Sequence, residues 1–528
     1  MNSVRAFAIA TLIISLGACA KPRERAELVF LNGAEPETLD PALITGQPEG
    51  RIANALFEGL TAFNAKAQAV PGVAERWDVS ADKRIYTFHL RNNARWSNGD
   101  TVTANDFVKS WQRTLAPETA SEYAYQLYYI KNGKAFNEGK LRDFSHVGVR
   151  VLDALTLEVT LENPTPFFLD LCAFTTFLPA HIDTVHRFGD DWIKPGKMVS
   201  NGAYQLADWR INDRVRLAKN PHYWNAAHVA MRTIDVLPSA RANTAFNYYA
   251  TGLADLMMDK GLAPTPLMDE LKKRADFHSA PFLGTYFIRF NASRPPFNDV
   301  RVRKAFSLVI EKNLLVEKIT KAGEVVAQSL VPPGCAGYQP PPSELARDPQ
   351  QARRLLAEAG YLDGKNFPLV SYLYKGDSDV DRDLAVELQG MFARELGVNI
   401  QLQGQEWKVY LRSMSSLDYD LCRSSWVGDY NDPNTFLDMF VTNGGNNRTG
   451  WSDPKYDDLI ALAARETDLR FRFETFKKAE HMLISEAAPI CPLYFYVGIQ
   501  FYDATRLGGI EANLLDEHPL REMFWKNR

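Results

Sequence analysis

Hydrophobic and polar positions along this 528-residue chain fall into two rhythms. Residues 28–31 are a short unbroken apolar run. Tyr86, Phe88 and Leu90 recur at every second position, as do Leu155, Leu157, Val159 and Leu161. Each pattern predicts a strand, and the aromatic-rich stretch 493–501 predicts a longer one. Between these lie stretches of helical period. Thr103 followed by Asp106 has the form of a capping box, after which Phe107, Trp111 and Leu115 share one face. Asn298 is placed to cap a helix that buries Val302, Phe306, Val309 and Ile310. Leu384, Leu388, Met391 and Phe392 form another stripe. Strands and helices are mixed throughout. The proline-rich stretch 331–343 predicts an irregular surface loop. No repeat of fixed period and no low-complexity run is present.

An apolar run at residues 6–16 follows a single basic residue, Arg5, and ends in Leu16-Gly17-Ala18-Cys19. It is too short for an ordinary membrane-spanning helix. The segment resembles a bacterial lipoprotein signal, which implies removal of residues 1–18 and lipid modification of Cys19. The alternative is a simple signal peptide with an incidental cysteine. Residues 20–27, polar and charged, suit a tether. On this reading the mature protein is a soluble body tethered outside the cytoplasm, in the periplasm or cell envelope, by a membrane anchor.

The remaining chain is long enough for two or three domains. A formal net charge of −4, without a Lys/Arg block, gives no footprint for nucleic acid. Thirty Phe, 21 Tyr and 10 Trp suit a protein that encloses a ligand. Cys172, Cys335, Cys422 and Cys491 have no CxxC spacing, so no metal cluster is expected. Cys422 and Cys491 lie in strand-like runs and could pair if those strands are neighbours; buried free thiols are the alternative. The chain lacks G-x-S-x-G, H-E-x-x-H, Walker A and G-x-G-x-x-G patterns, and His181 and His186 are not at a same-face helical spacing. Nothing supports an enzyme, and no cofactor is implied.

Several collinear segments carry a resemblance: Glu35-Pro-Glu-Thr-Leu-Asp-Pro41, Phe57-Glu-Gly-Leu60, residues 71–115, Ser200-Asn-Gly-Ala-Tyr204, Asn220-Pro-His-Tyr-Trp224, residues 296–303, Glu406-Trp-Lys-Val-Tyr-Leu411 and Trp426-Val-Gly-Asp-Tyr-Asn-Asp-Pro433. Together they resemble the oligopeptide-binding proteins of ABC importers, the family 5 extracellular solute-binding proteins. The resemblance implies a fold like the type II periplasmic binding proteins, with two hinged α/β lobes and an inserted extra domain. Lobe I would comprise residues 19–57, 182–281 and 497–528, the inserted domain 58–181, and lobe II 282–496. It implies a monomer that captures short peptides and hands them to ABC permease subunits in the membrane.

A short peptide is a zwitterion, and burying its ends requires an anion and a cation. By resemblance, Asp429 is the ammonium-binding carboxylate. The adjacent Asp432-Pro433 already suits a helix start, so Asp429 is not needed as a cap. Arg423 is the candidate for the carboxylate end, its planar fork suiting bidentate binding; an internal ion pair with a protein acid is the alternative. Six residues of straight strand would hold the two about 20 Å apart, too far for one short peptide, so the chain must bend, and Gly428 makes that possible. Thr45, Gly46 and Gln47 match a segment lending backbone hydrogen bonds, with Ser424, Ser425 and Trp426 opposite. Trp407 and Tyr123 match aromatic pocket positions, or are core. Departures from the family pattern are Asp381, where some members have histidine, Met414, where a murein-tripeptide binder has arginine, and Val427 in place of cysteine. If Asp381 lines a pocket, a preference for basic side chains would follow. Other solutes (a nickel chelate, haem or a glycoside) and a sensory or envelope-structural role are the competing readings for this architecture.

Overall fold

The computed structural model describes residues 24–526 except Ala240 and Asp377; the signal segment and Cys19 lie outside the described residues. An eleven-stranded sheet organises most of the chain. From one edge to the other it runs Ile400–Gln405, Val370–Lys375, Leu421–Val427, Phe277–Phe290, Ile490–Tyr502, Leu256–Met257, Leu28–Leu31, Thr233–Leu237, Arg214–Lys219 and Tyr204–Arg210, with Val325–Val326 added beside Ile490–Tyr502.

The two longest strands, Phe277–Phe290 and Ile490–Tyr502, are antiparallel partners and connect the two halves of this sheet. Near Phe277 the pair carries Leu256–Met257 and the strands beyond it. From Gly284 onward it carries Leu421–Val427 and its neighbours. Between these regions, after Pro281 and before Thr285, the register shifts. All thirteen residues of Ile490–Tyr502 are buried. A strand covered on both faces loses the apolar–polar alternation, which is why its sequence is continuously apolar and aromatic.

A separate antiparallel sheet orders Ala74–Val79, Ile85–Leu90, Thr156–Thr160 and Val149–Asp153. Its inward residues Phe88, Leu157 and Val159 share a core with Phe107, Trp111 and Leu115 of the helix Ala104–Leu115. The capping box forms: the Thr103 N–H and hydroxyl both donate to Asp106 Oδ2, at 2.7 and 2.9 Å. Trp111 satisfies its buried indole N–H on the Phe177 carbonyl at 2.9 Å.

Two expectations are corrected, and one open choice is decided. Asp299, not Asn298, caps the helix Val300–Leu308, its Oδ1 accepting from the Arg301 N–H at 2.8 Å. The stretch 331–343 is irregular but not purely superficial. Val331, Cys335 and Tyr338 are buried, and Glu480 gathers the Leu330 and Val331 N–H groups and the Tyr338 hydroxyl, each at 2.8 Å. Finally, Cys422 and Cys491 do not pair, and all four described cysteines are free and buried. Cys422 lies opposite Arg289 and Cys491 opposite Ile288, on the two sides of one intervening strand. Two strand spacings, about 10 Å, exceed the reach of a disulfide.

Candidate functional site

The strand Leu421–Val427 is the frame of the site. On one side it pairs along its whole length with Gly284–Phe290. On the other, only Leu421 and Cys422 find a partner, against Tyr372 and Leu373. From Arg423 to Val427 this second edge has no strand beside it among the described residues. The Arg423 carbonyl accepts from the Tyr410 hydroxyl at 2.5 Å, and the backbone beyond it is free to meet another extended chain.

The strand ends at Gly428, whose N–H donates to the Leu283 carbonyl at 2.8 Å. A Cβ there would stand 2.6 Å from Leu283 Cδ2 and 3.1 Å from Thr435 Cγ2, so a larger residue would have to push these side chains aside. The chain bends at this point and presents Asp429, half-buried. The following loop is fixed by a buried bidentate pair, Arg472 Nη1 and Nη2 on Asp432 Oδ2 and Oδ1 at 2.7 and 2.8 Å. Asp432 also accepts from the Asn434 N–H at 2.9 Å, so the capping duty falls on Asp432 and leaves Asp429 without it.

Asp429 Oδ2 accepts from Gln126 Nε2 at 2.7 Å and, more weakly, from the Tyr125 hydroxyl at 3.4 Å. Both donors lie on the turn Ala124–Tyr129, about three hundred residues away in sequence. Tyr123 flanks them, its ring 5.3 Å from Tyr125 and 6.0 Å from Phe174; the Asp429 charge beside it raises the pKa of its hydroxyl. Two acceptors remain without donors. Gln126 Oε1 is buried with no hydrogen bond, and Asp429 Oδ1 receives none from the described residues. Burial lifts the Asp429 pKa to about 7, against the lowering effect of its two donors. Next to this pocket the same segments are clasped together: Phe167 stacks on Tyr430 at 3.9 Å, and the Tyr129 and Tyr430 hydroxyls meet at 2.8 Å.

Arg423 is engaged within the protein. Its Nε lies 3.3 Å from Asp381 Oδ1, which also accepts the Tyr286 hydroxyl at 2.9 Å, and its guanidinium sits 5.0 Å over the Tyr286 ring. Of the two readings open from sequence, this arrangement is the internal ion pair. Asp381 is thereby committed, and the expectation that it draws basic side chains loses its basis. Met414 is buried beside Tyr410, whose hydroxyl approaches its sulfur at 3.5 Å. Trp407 stacks on Tyr410 at 5.4 Å and stays 39% exposed at the rim. Ser425 is half-buried on the open edge, while the Trp426 indole N–H is tied to Thr435 Oγ1 at 3.3 Å.

Gly46 precedes the helix Gln47–Leu56. Thr45 and Gln47 are exposed, and the N–H groups of Thr45, Gly46 and Gln47 donate to nothing among the described residues. Asn32 Nδ2 donates to the Pro48 carbonyl at 2.7 Å, and Arg51 faces Asp259 at 3.7 Å. The first contact ties the segment to the end of Leu28–Leu31, and the second to Asp259, the residue that caps the turn Lys260–Leu262. Gln126, Tyr125 and Lys260 were not singled out from sequence, because nothing in their local pattern distinguishes them from ordinary loop residues.

The profile of the bacterial extracellular solute-binding proteins, family 5, matches residues 68–448. This chain belongs to that family. The periplasmic oligopeptide-binding protein OppA of Escherichia coli is 37% identical over 510 residues, 95% of this chain and 93% of that protein. The solved structure of the Escherichia coli murein tripeptide binding protein MppA superimposes with a TM-score of 0.85 at 36% identity, covering 95% of this chain and 99% of that one; its unliganded open form gives 0.76. Haemophilus influenzae OppA in complex with RPPGFSPFR gives 0.83 at 31% identity, covering 94% and 98%. The fold is thus the mixed α/β, type II periplasmic-binding fold of these proteins.

Proposed function

We propose that this protein captures short peptides outside the cytoplasm and delivers them to an ABC importer. The observation that carries the reading is the pair of unmet acceptors, Asp429 Oδ1 and Gln126 Oε1, at the end of an open strand edge. A peptide's amino terminus brings three donors and a positive charge to such a pocket, and its backbone continues along Arg423–Val427 as an added strand. Main-chain pairing ignores side-chain identity, so broad sequence tolerance follows. Thr45, Gly46 and Gln47 offer free N–H groups for the second side of the peptide, and Trp407, Ser425, Trp426 and Tyr123 shape the walls. The oligopeptide binders among its relatives support the same ligand class.

In this reading residues 19–57, 182–281 and 497–528 form one lobe, 282–496 the other, and 58–181 an inserted domain. The two long central strands are the hinge. The lower match to the open form of the murein tripeptide binder supports a closed arrangement here. ATP hydrolysis belongs to partner subunits, and Cys19 carries a lipid that keeps the protein at a membrane. Calorimetry and small-angle scattering with trialanine, tetra-alanine and penta-alanine test the proposal. At least one should bind and shrink the particle, and its N-acetylated form should do neither. Equal binding of blocked and free peptide would remove the ammonium pocket from the account.

A further inference from the structure

A second cation stands at the site, and it comes from the other half of the sheet. Lys260 follows the short strand Leu256–Met257, which pairs with Leu28–Leu31. Its Nζ lies 3.0 Å from the ring centroid of Tyr496. Tyr496 packs edge-on to Tyr286 at 6.5 Å, and Tyr286 in turn lies beneath Arg423. Lys260 and Arg423 therefore sit over the two members of one tyrosine pair.

Their electrostatic situations differ. Arg423 has a counter-ion, Asp381. Lys260 has no carboxylate within ion-pair distance and donates no hydrogen bond among the described residues. Each nearby acid has partners of its own. Asp259 faces Arg51 and accepts the Gly261 N–H, Glu324 accepts the Thr320 hydroxyl and the Ala322 N–H, and Asp381 serves Arg423 and Tyr286. Burial holds the Lys260 pKa down to about 8, against the raising effect of the more distant Glu324 and Asp259 charges and with the Arg423 charge acting in the same sense as burial. A half-buried ammonium resting on a ring face, short of an anion, is costly unless something negative arrives.

We propose that Lys260, rather than Arg423, receives a carboxylate of the bound peptide, an assignment that rests on the peptide-capture reading above. Arg423 and Asp381 then form a charge-neutral wall beside it. The carboxylate is either the carboxy terminus or an acidic side chain. Because Lys260 and Asp429 belong to opposite halves of the sheet, a ligand gripped by both spans the two.

The test is calorimetry with the alanine peptides as free acids, as C-terminal amides, and with a central glutamate or glutamine, on wild type, Lys260→Met and Lys260→Arg. Lys260→Met should bind the free acids at least tenfold more weakly and the amides as wild type does, with Lys260→Arg restoring most of the loss. A loss that follows the central glutamate instead assigns the side-chain carboxylate as the source. The neutral double replacement Arg423→Met with Asp381→Leu should preserve the acid-over-amide preference. Wild-type affinity for the free acids in Lys260→Met would overturn the assignment while leaving peptide capture intact. Failure of wild type to bind any of these peptides would overturn both.

Discussion

A carboxyl group whose pKa stands near 7 is poised to respond to its surroundings, and Asp429 owes that state to burial. An ammonium ion binds only the ionised form. Affinity for peptide should therefore fall by up to tenfold per unit as pH drops below about 7, with proton release on binding seen as buffer-dependent enthalpy. Stability should respond in the opposite sense. Between the ordinary value of 3.8 and about 7 the folded protein holds a proton that the unfolded chain does not, so this group's contribution declines as pH rises across that window. Asp429→Asn should then abolish capture yet raise the melting temperature at pH 8 by about 1–3 °C, with little change at pH 4. A lower melting temperature at pH 8 would contradict this account. Asp429 was singled out by its match to the family's ammonium-binding carboxylate, and the structure bears out the part of that argument which gives the capping role to Asp432. Gln126 and Tyr125, the partners of Asp429, were not, since only the tertiary fold joins segments so distant. Arg423 was ambiguous for the same reason: whether it meets a ligand or Asp381 depends on packing between strand and helix.

Elements were easier to read than the contacts between them. The alternation at Ile85–Leu90 and Thr156–Thr160 and the stripe on Asp379–Leu396 each appear where the periodicity places them. One helix start missed by a single position, because Asn298 and Asp299 are both good caps and local pattern cannot choose between neighbours. The choice left open between a Cys422–Cys491 pair and free thiols is decided by sheet order, which the chain sets through non-consecutive pairing. The element that most directly positions the site is the helix Leu469–His481, through Arg472. Both partners of the Arg472–Asp432 pair are almost fully buried, with side-chain exposures of 2% and 4%. Arg472→Met should leave Asp432 uncompensated and cost about 3–5 kcal/mol in chemical denaturation. A change below about 1 kcal/mol would show that the loop presenting Asp429 is held by other means.

At the scale of the molecule, the first and last described residues meet on one half of the large sheet. Arg25 pairs with Asp255 at 2.9 Å, and the Trp525 indole N–H donates to the Glu27 carbonyl at 2.9 Å. A lipid on Cys19 would accordingly tether that half and leave the half bearing Asp429 and Arg423 to move against it. Metabolic labelling with radioactive palmitate should tag the wild type and miss Cys19→Ser; label that persists in the variant would refute the anchor. The two-part architecture itself came from resemblance rather than from hydrophobic pattern, because periodicity reports what is buried and not which element buries it.

The unpaired border of Leu421–Val427 has a final implication. On the proposed reading, a slot that engages a stretched main chain by its amides, with a charge waiting at one end, would admit only polypeptide that is extended and offers a free amino terminus. Intact neighbours in the envelope would be turned away by their shape. The protein would therefore sort fragments from folded molecules by their physical condition, whatever message their side groups spell.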